Sequence, residues 1–223
     1  MMNRSLFLIA GIVLSMASYS QTIGFDKSNL EPTQVYMTIE KMNDKKVVKV
    51  VMDSALKGAD LPTFVKIKSI DFKDGTIEVK VLSRLLKTAP ASARGFIGVA
   101  FHIDSLNSRF EGIYLRPTNG RAEDQLRRNH SIQYFSYPGY DFDRLRKEAE
   151  GVYESYADMG LNEWITMRIE VKGKQAKLFL NGNKQPSLIV NDLKLGGNIS
   201  GAIGLWVDVG TEGYFKDLKI TKQ

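Results

Sequence analysis

The sequence predicts an all-β sandwich or barrel, and three observations carry that prediction. From residue 34 onward apolar residues recur with a period of two. The pattern is strictest over Thr76-Ile77-Glu78-Val79-Lys80-Val81, with isoleucine and valine on one face and polar side chains on the other. Such alternation marks a strand with one face buried. About eleven or twelve runs of this kind follow one another, divided by turn residues such as Asn181-Gly182. Helical periodicity is nearly absent.

Taken in order, the chain opens on a leader-like segment. Arg4 supplies a positive start, Leu6 to Met16 an apolar run, and Ala17-Ser18-Tyr19-Ser20 small residues for cleavage before Gln21. The apolar run is short for a bilayer span. The expectation is a signal peptide over residues 1–20 and a single domain over 21–223. The protein would then be secreted or periplasmic, with no stable membrane insertion after cleavage.

Val35 to Ile39 and Val47 to Met52 read as a hairpin around Met42-Asn43-Asp44-Lys45. Phe64 to Lys68 follows, and Asp74-Gly75 is read as a turn. Phe96 to Asp104 is apolar on both faces and reads as a central strand. Phe110 to Arg116 and Ser131 to Tyr137 come next, around a polar loop at Thr118 to Asn129. Residues 138–162 read as a long loop. A short helix fits Phe142 to Glu150 within it, because Leu145 and Ala149 lie four apart. Trp164 to Val171, Gln175 to Asn181, Ile199 to Asp208 and Tyr214 to Thr221 close the chain as strands.

The chain has no cysteine, which excludes disulfides, thiolate metal sites, a cysteine nucleophile and a lipid-bearing N-terminal cysteine. Its formal charge of +6 is dispersed among interleaved acids. A nucleic-acid surface shows a concentrated basic stripe instead, so nucleic acid is not an expected partner.

Chemistry concentrates between Phe110 and Tyr140. Arg116 ends a strand before Pro117, where its guanidinium can fork onto sugar hydroxyls or a carboxylate, or pair with Glu123 or Asp124. Gln133 and Tyr137 lie four apart on one strand face with Phe135 between them, an amide and rings suited to a sugar. Tyr134 falls on the opposite, core face. The expected ligand-binding set is Arg116, Arg128, His130, Gln133, Tyr137 and Tyr140. His130 could serve as a general base, as a donor to ligand or as a structural group. It and Glu154 are the candidates for catalysis. His102, Trp164 and Trp206 sit in strands and read as structural. No His-x-His or HExxH spacing occurs. Asp141 and Asp143 are the candidates for an oxygen-rich calcium site. No cofactor is called for.

Several strand signatures then carry a resemblance. They are Asn162-Glu163-Trp164, Ile169 to Gly173, Ala176 to Gly182, Gly201 to Trp206 and Tyr214 to Ile220, after Asp74 to Glu78 and Gly112 to Arg116. Together they resemble the concanavalin A-like lectin/glucanase superfamily. Within it they are most similar to laminin-G-like modules and the secreted family labelled 3-keto-disaccharide hydrolase. The resemblance implies a jelly-roll β-sandwich of two antiparallel sheets over roughly residues 60–222. Some laminin-G-like modules use calcium in an oxygen-rich site of the kind Asp141 and Asp143 could form, but two aspartates two apart in a loop more often face solvent, and no metal is expected. The superfamily's glucanases carry Glu-x-Asp-x-Glu on one strand, and that motif is absent. The expected function is a carbohydrate-binding or glycan-processing accessory domain with a saccharide as partner. The alternatives are a glycoside hydrolase of the 3-keto type in the same cleft, or a purely structural cell-surface module.

Overall fold

The computed structural model describes residues 19–223. The expected leader therefore lies outside the described residues, apart from Tyr19 and Ser20. Strands β1 (Tyr19–Thr22), β2 (Leu30–Thr33), β3 (Val35–Met42), β4 (Lys45–Met52), β5 (Phe64–Phe72), β6 (Gly75–Leu85), β7 (Ile97–Ile103) and β8 (Phe110–Leu115) build the first half. Helices α1 (Pro117–Gly120) and α2 (Gln125–Asn129) lead to β9 (Ile132–Tyr137), and α3 (Phe142–Glu148) to β10 (Glu154–Ser155). Then come β11 (Ile165–Lys172), β12 (Gln175–Leu180), β13 (Leu188–Val190), β14 (Gly201–Val207) and β15 (Thr211–Lys222).

These strands form two antiparallel sheets packed face to face, a jelly-roll sandwich. One runs β13-β12-β11-β6-β15-β4-β3, with β1 also on β15; the other runs β10-β9-β8-β7-β14-β5-β2. The alternation in β6 works as read from the sequence: Ile77, Val79 and Val81 face Val99, Ile113 and Leu205 in one core. No helix among the described residues is long and apolar enough to cross a membrane.

The seven-stranded sheet is buried on its outer face too, which is why Phe96 to Asp104 reads as apolar on both faces. Phe64, Phe110, Tyr114, Phe135 and Trp206 form a second cluster there. Glycines make room for the rings. Gly98 pairs with Tyr114 and Gly112 with Phe135 across neighbouring strands. A β-carbon at Gly112 would stand 2.3 Å from the Phe135 ring. Tyr114 stacks on Trp206 at 4.8 Å, and this pair leads toward one end of the sheet.

The sequence reading needs three corrections. Residues 118–129 are two short helices rather than a loop, with Pro117 in the first turn of α1 and Asp124 capping α2 by accepting the Arg127 N–H at 2.9 Å. Helices of four and five residues leave no periodic signal. The turn after β5 is Lys73-Asp74; Gly75 already opens β6, at φ 138°. Fifteen strands are present among the described residues. The unforeseen ones, β1, β2, β10 and β13, have four residues or fewer. The expected short helix is α3, capped by Asp141, which accepts the Arg144 N–H at 2.8 Å. His102 is structural: Nδ1 lies 2.9 Å from Glu111 and Nε2 2.9 Å from the Lys73 carbonyl, both acceptors.

Candidate functional site

Where the aromatic face ends, polar residues take over. Arg116 follows Tyr114 by two positions and Asp208 follows Trp206 by two. Both border a cavity of about 420 Å³. Its other walls are the segment at Gly58-Ala59, the segment from Ser92 to Phe96, Asn119 of α1, Arg127 of α2, His130, and Phe142 and Arg146 of α3. Four guanidinium groups, those of Arg94, Arg116, Arg127 and Arg146, thus line one hollow.

Arg116 is 5% exposed, and both of its terminal nitrogens are engaged. Nη1 donates to Glu154 Oε1 at 3.2 Å and to the His130 carbonyl at 3.1 Å. Nη2 donates to the Tyr114 hydroxyl at 2.9 Å and to Gln133 Oε1 at 3.2 Å. Gln133 is held in turn, its Nε2 donating to the Tyr134 carbonyl at 2.7 Å. Neither Glu123 nor Asp124 is the partner. That role belongs to Glu154, which β10 places opposite Gln133 of β9.

Glu154 gathers three cationic or titrating groups. It pairs with Arg116, takes a forked pair of hydrogen bonds from Arg146, and lies 3.4 Å from His130 Nε2. Burial pushes its carboxyl up, but the Arg146 hydrogen bond and the charges of Arg116, Arg146 and His130 outweigh that, so it sits below the ordinary range. His130 is shifted down, first by burial and then by Arg146 and Arg116, against the pull of Glu154. The imidazole is therefore neutral at pH 7. A proton on Nε2, facing Glu154, leaves Nδ1 as its basic nitrogen.

Two further carboxyls adjoin the cavity. Asp208 accepts the Asp60 N–H at 3.3 Å, and Asp60 accepts the Phe142 N–H at 2.7 Å through Oδ2. Asp60 Oδ1 is buried and lacks a hydrogen-bond partner. Burial raises Asp60 to about 7, with the neighbouring Asp208 charge adding to the rise. Burial likewise raises Asp208 to about 6, against the Val209 and Asp60 N–H groups and the Arg116 charge. Asp208 on the cavity lining and Asp60 beside it thus keep their protons unusually far toward neutrality.

Of the residues singled out from sequence, Arg116 and His130 meet at the cavity, with Gln133 and Glu154 buried behind them as supports. Gln133 and Phe135 are at most 1% exposed, so their face is packing and not an open platform. Arg128 lies apart: it donates to the Tyr156 hydroxyl at 2.8 Å and covers that ring. Tyr156, His130 and Glu154 border a smaller hollow of about 290 Å³ beyond His130. Tyr137 stacks on Phe110 at 5.2 Å, and the Tyr140 ring lies under Arg144 at 4.1 Å; neither lines the main cavity. Asp143 pairs with Lys147, and Asp141 caps α3. Among the described residues no group of three or more potential metal-ligating side chains gathers.

Sequence reasoning missed Arg94, Arg146, Asp60 and Asp208. Only Asp208 carried a signal, two residues beyond Trp206 on the same strand line. Arg94, Arg146 and Asp60 arrive on connecting segments whose path no local pattern encodes.

The model of the 3-keto-alpha-glucoside-1,2-lyase-like domain matches residues 71–221, more than half of the chain. The chain belongs to this family. The matched span of this lyase-like domain carries nearly every wall of the cavity, with Gly58 and Ala59 outside it. No curated protein matches the chain. Among solved structures, a candidate glycosyl hydrolase from Parabacteroides distasonis is 14% identical over 92% of this chain and 100% of its own, with a TM-score of 0.53. A second candidate glycosyl hydrolase from the same organism is 12% identical over 89% and 90%, with a TM-score of 0.52. A Bacillus subtilis protein of unknown function with a galectin-like fold is 11% identical over 89% and 92%, also at 0.52. At these identities the likeness supports the lyase-like domain's fold, the lectin/glucanase jelly roll, and not its chemistry.

Proposed function

We propose that this chain is an exported glycan-processing domain that holds a 3-keto glycoside in the arginine-lined cavity and cleaves it by elimination. The observation that carries the reading is His130, a neutral imidazole on the cavity wall beside Arg116 and Arg146. The family's name supplies the reaction class, and the leader-like residues 1–20 supply the export.

A ketone at C3 acidifies the proton on C2. In the proposed reaction His130 Nδ1 takes that proton, and the C2–H electron pair moves into an enolate across C2, C3 and the ketone oxygen. The guanidiniums beside His130 favour the developing negative charge. The enolate then expels the oxygen on C1, leaving a double bond between C1 and C2 of the 3-keto ring. The departing alkoxide takes a proton from a carboxylic acid, and Asp208 on the same cavity wall fits that role. Glu154 positions the system: it fixes His130, Arg116 and Arg146 without titrating near neutrality. No water is consumed, so the two acids of a glycoside hydrolase are not required.

The reading is tested by incubating the protein with methyl 3-keto-α-glucoside and following methanol release together with the ultraviolet absorbance of the unsaturated ketone. Both should appear in equal amounts. Methanol released with saturated 3-keto-glucose as the direct product would instead mark hydrolysis. Binding without either product would leave a non-catalytic saccharide-binding domain.

A further inference from the structure

The four cavity guanidiniums are not equivalent. Glu154 neutralises Arg116 and Arg146. Arg94 and Arg127 lack such a partner: among the described residues no carboxylate lies within ion-pair distance of either. Arg94 spends Nη1 on the carbonyls of Ala91 and Ala93, at 2.7 and 2.8 Å. That anchors the group and leaves its Nε–Nη2 edge without a protein partner. This is the edge that takes both oxygens of an oxyanion. Arg127 directs Nε and Nη2 at Asn119 Oδ1, at 3.4 and 3.3 Å, leaving Nη1 free. Asn119 is itself tied to the His130 carbonyl at 3.1 Å, so both arginines are held on fixed supports.

We infer that Arg94 and Arg127 form a subsite for an oxyanion carried by the saccharide, a carboxylate or a sulfate, so that the ligand is an acidic sugar. This rests on the saccharide reading above but concerns the two cavity arginines that Glu154 does not pair with. Like charges held together without counter-charge store repulsion that a bound anion relieves. Arg94 shows that repulsion: burial lowers it first, then Arg127 and Arg116 lower it further. A neutral sugar would leave this surplus uncompensated. The hollow, about 420 Å³, has room for a sugar ring and its charged substituent. Arg116 and Arg146 remain with the reacting carbon and Arg94 and Arg127 with the substituent, so the two roles do not compete.

The test is calorimetric titration of the full chain at low salt with methyl α-glucoside, methyl α-glucuronide, glucose 6-sulfate and inorganic sulfate. The expected result is that one acidic sugar binds roughly tenfold or more tighter than the neutral glucoside. The tighter of the two names the oxyanion. Arg94→Gln with Arg127→Gln should bring that ratio close to one. Equal binding of neutral and acidic sugars, or a preference that survives the double substitution, overturns the inference and leaves the saccharide reading standing. Sulfate binding that depends on Arg94, with no sugar bound, upholds the anion subsite and removes the saccharide reading. No binding of any probe removes both.

Discussion

Arg116 and Glu154 meet at 3.2 Å with their side chains 6% and 2% exposed, an ion pair that the fold has taken out of water. Charges withdrawn from solvent are tolerated only where every donor finds an acceptor. Arg116 finds four in Glu154, Tyr114, Gln133 and the His130 carbonyl. The pair joins β8 to β10 at the cavity and sets the position of His130.

Glu154→Ala should therefore destabilise the protein by about 3 kcal/mol or more, because buried Arg116 and partly buried Arg146 lose their counter-charge. Chemical denaturation measures it. Glu154→Gln, which keeps one acceptor, should lie between the two. The carboxyl's lowered value makes its contribution present above the unfolded carboxylate range and lost as pH falls through the folded value. The stability difference between wild type and Glu154→Gln should shrink in acid. A loss below about 1 kcal/mol for Glu154→Ala would show that the pair is not structural.

Asp60 behaves in the opposite sense. Its folded value, near 7, lies above the unfolded one, so it favours folding at low pH and that contribution is lost as pH rises through about 7. Asp60→Asn keeps an acceptor for the Phe142 N–H and removes a buried charge. It should stabilise the protein at pH 8 by on the order of a few kcal/mol and change little at pH 4. Denaturation curves at the two pH values decide the matter.

Gly112→Ala probes the aromatic face that carries the site. The new β-carbon would stand 2.3 Å from Phe135 Cε1 and 2.8 Å from Cζ, inside a cluster that also holds Tyr114 and Trp206. Overpacking of this kind costs about 1–3 kcal/mol. Near-ultraviolet circular dichroism should change with it, since the rings must shift together. Lys45→Ala, at an exposed pair with Asp217 on the other sheet, should alter neither stability nor ligand binding appreciably.

The pH dependence of turnover follows from two opposed groups. In the proposed elimination His130 must be neutral, and its lowered value keeps it so below the ordinary imidazole range. Asp208 must be protonated, and at about 6 it loses that state as pH rises. The rate should peak on the acid side of neutrality, falling above about pH 6, and Asp208→Asn should remove the basic limb. A rate that climbs steadily through pH 8 would exclude Asp208 as the acid.

The frame was legible because period-two alternation is a local signal. The β6 pattern and the largely apolar β7 each follow from neighbours in sequence. Arg116 and His130 stood out because a strand end before proline and a rare residue type are local too. The rest of the site was not. Gln133 and Tyr137 share a strand face as expected, but packing on both faces of the seven-stranded sheet turned an anticipated sugar platform into core. Glu154 stood out as a carboxylate, but its pairing with Arg116 rests on a two-residue strand, and Arg94, Asp60 and Arg146 reach the site on loops and on α3, whose paths depend on the assembled fold. No motif in the chain announced a reaction class; the proposed elimination takes its class from the family's name.

The most direct test of the account places methyl 3-keto-α-glucoside in deuterium oxide with the protein and follows the C2 proton by NMR. The account predicts that wild-type protein removes that proton and forms the unsaturated product. His130→Ala should be slower by about 10²–10⁴-fold with sugar affinity nearly unchanged. A C2 proton lost equally fast in His130→Ala, or kept by wild-type protein that binds the sugar, would contradict it.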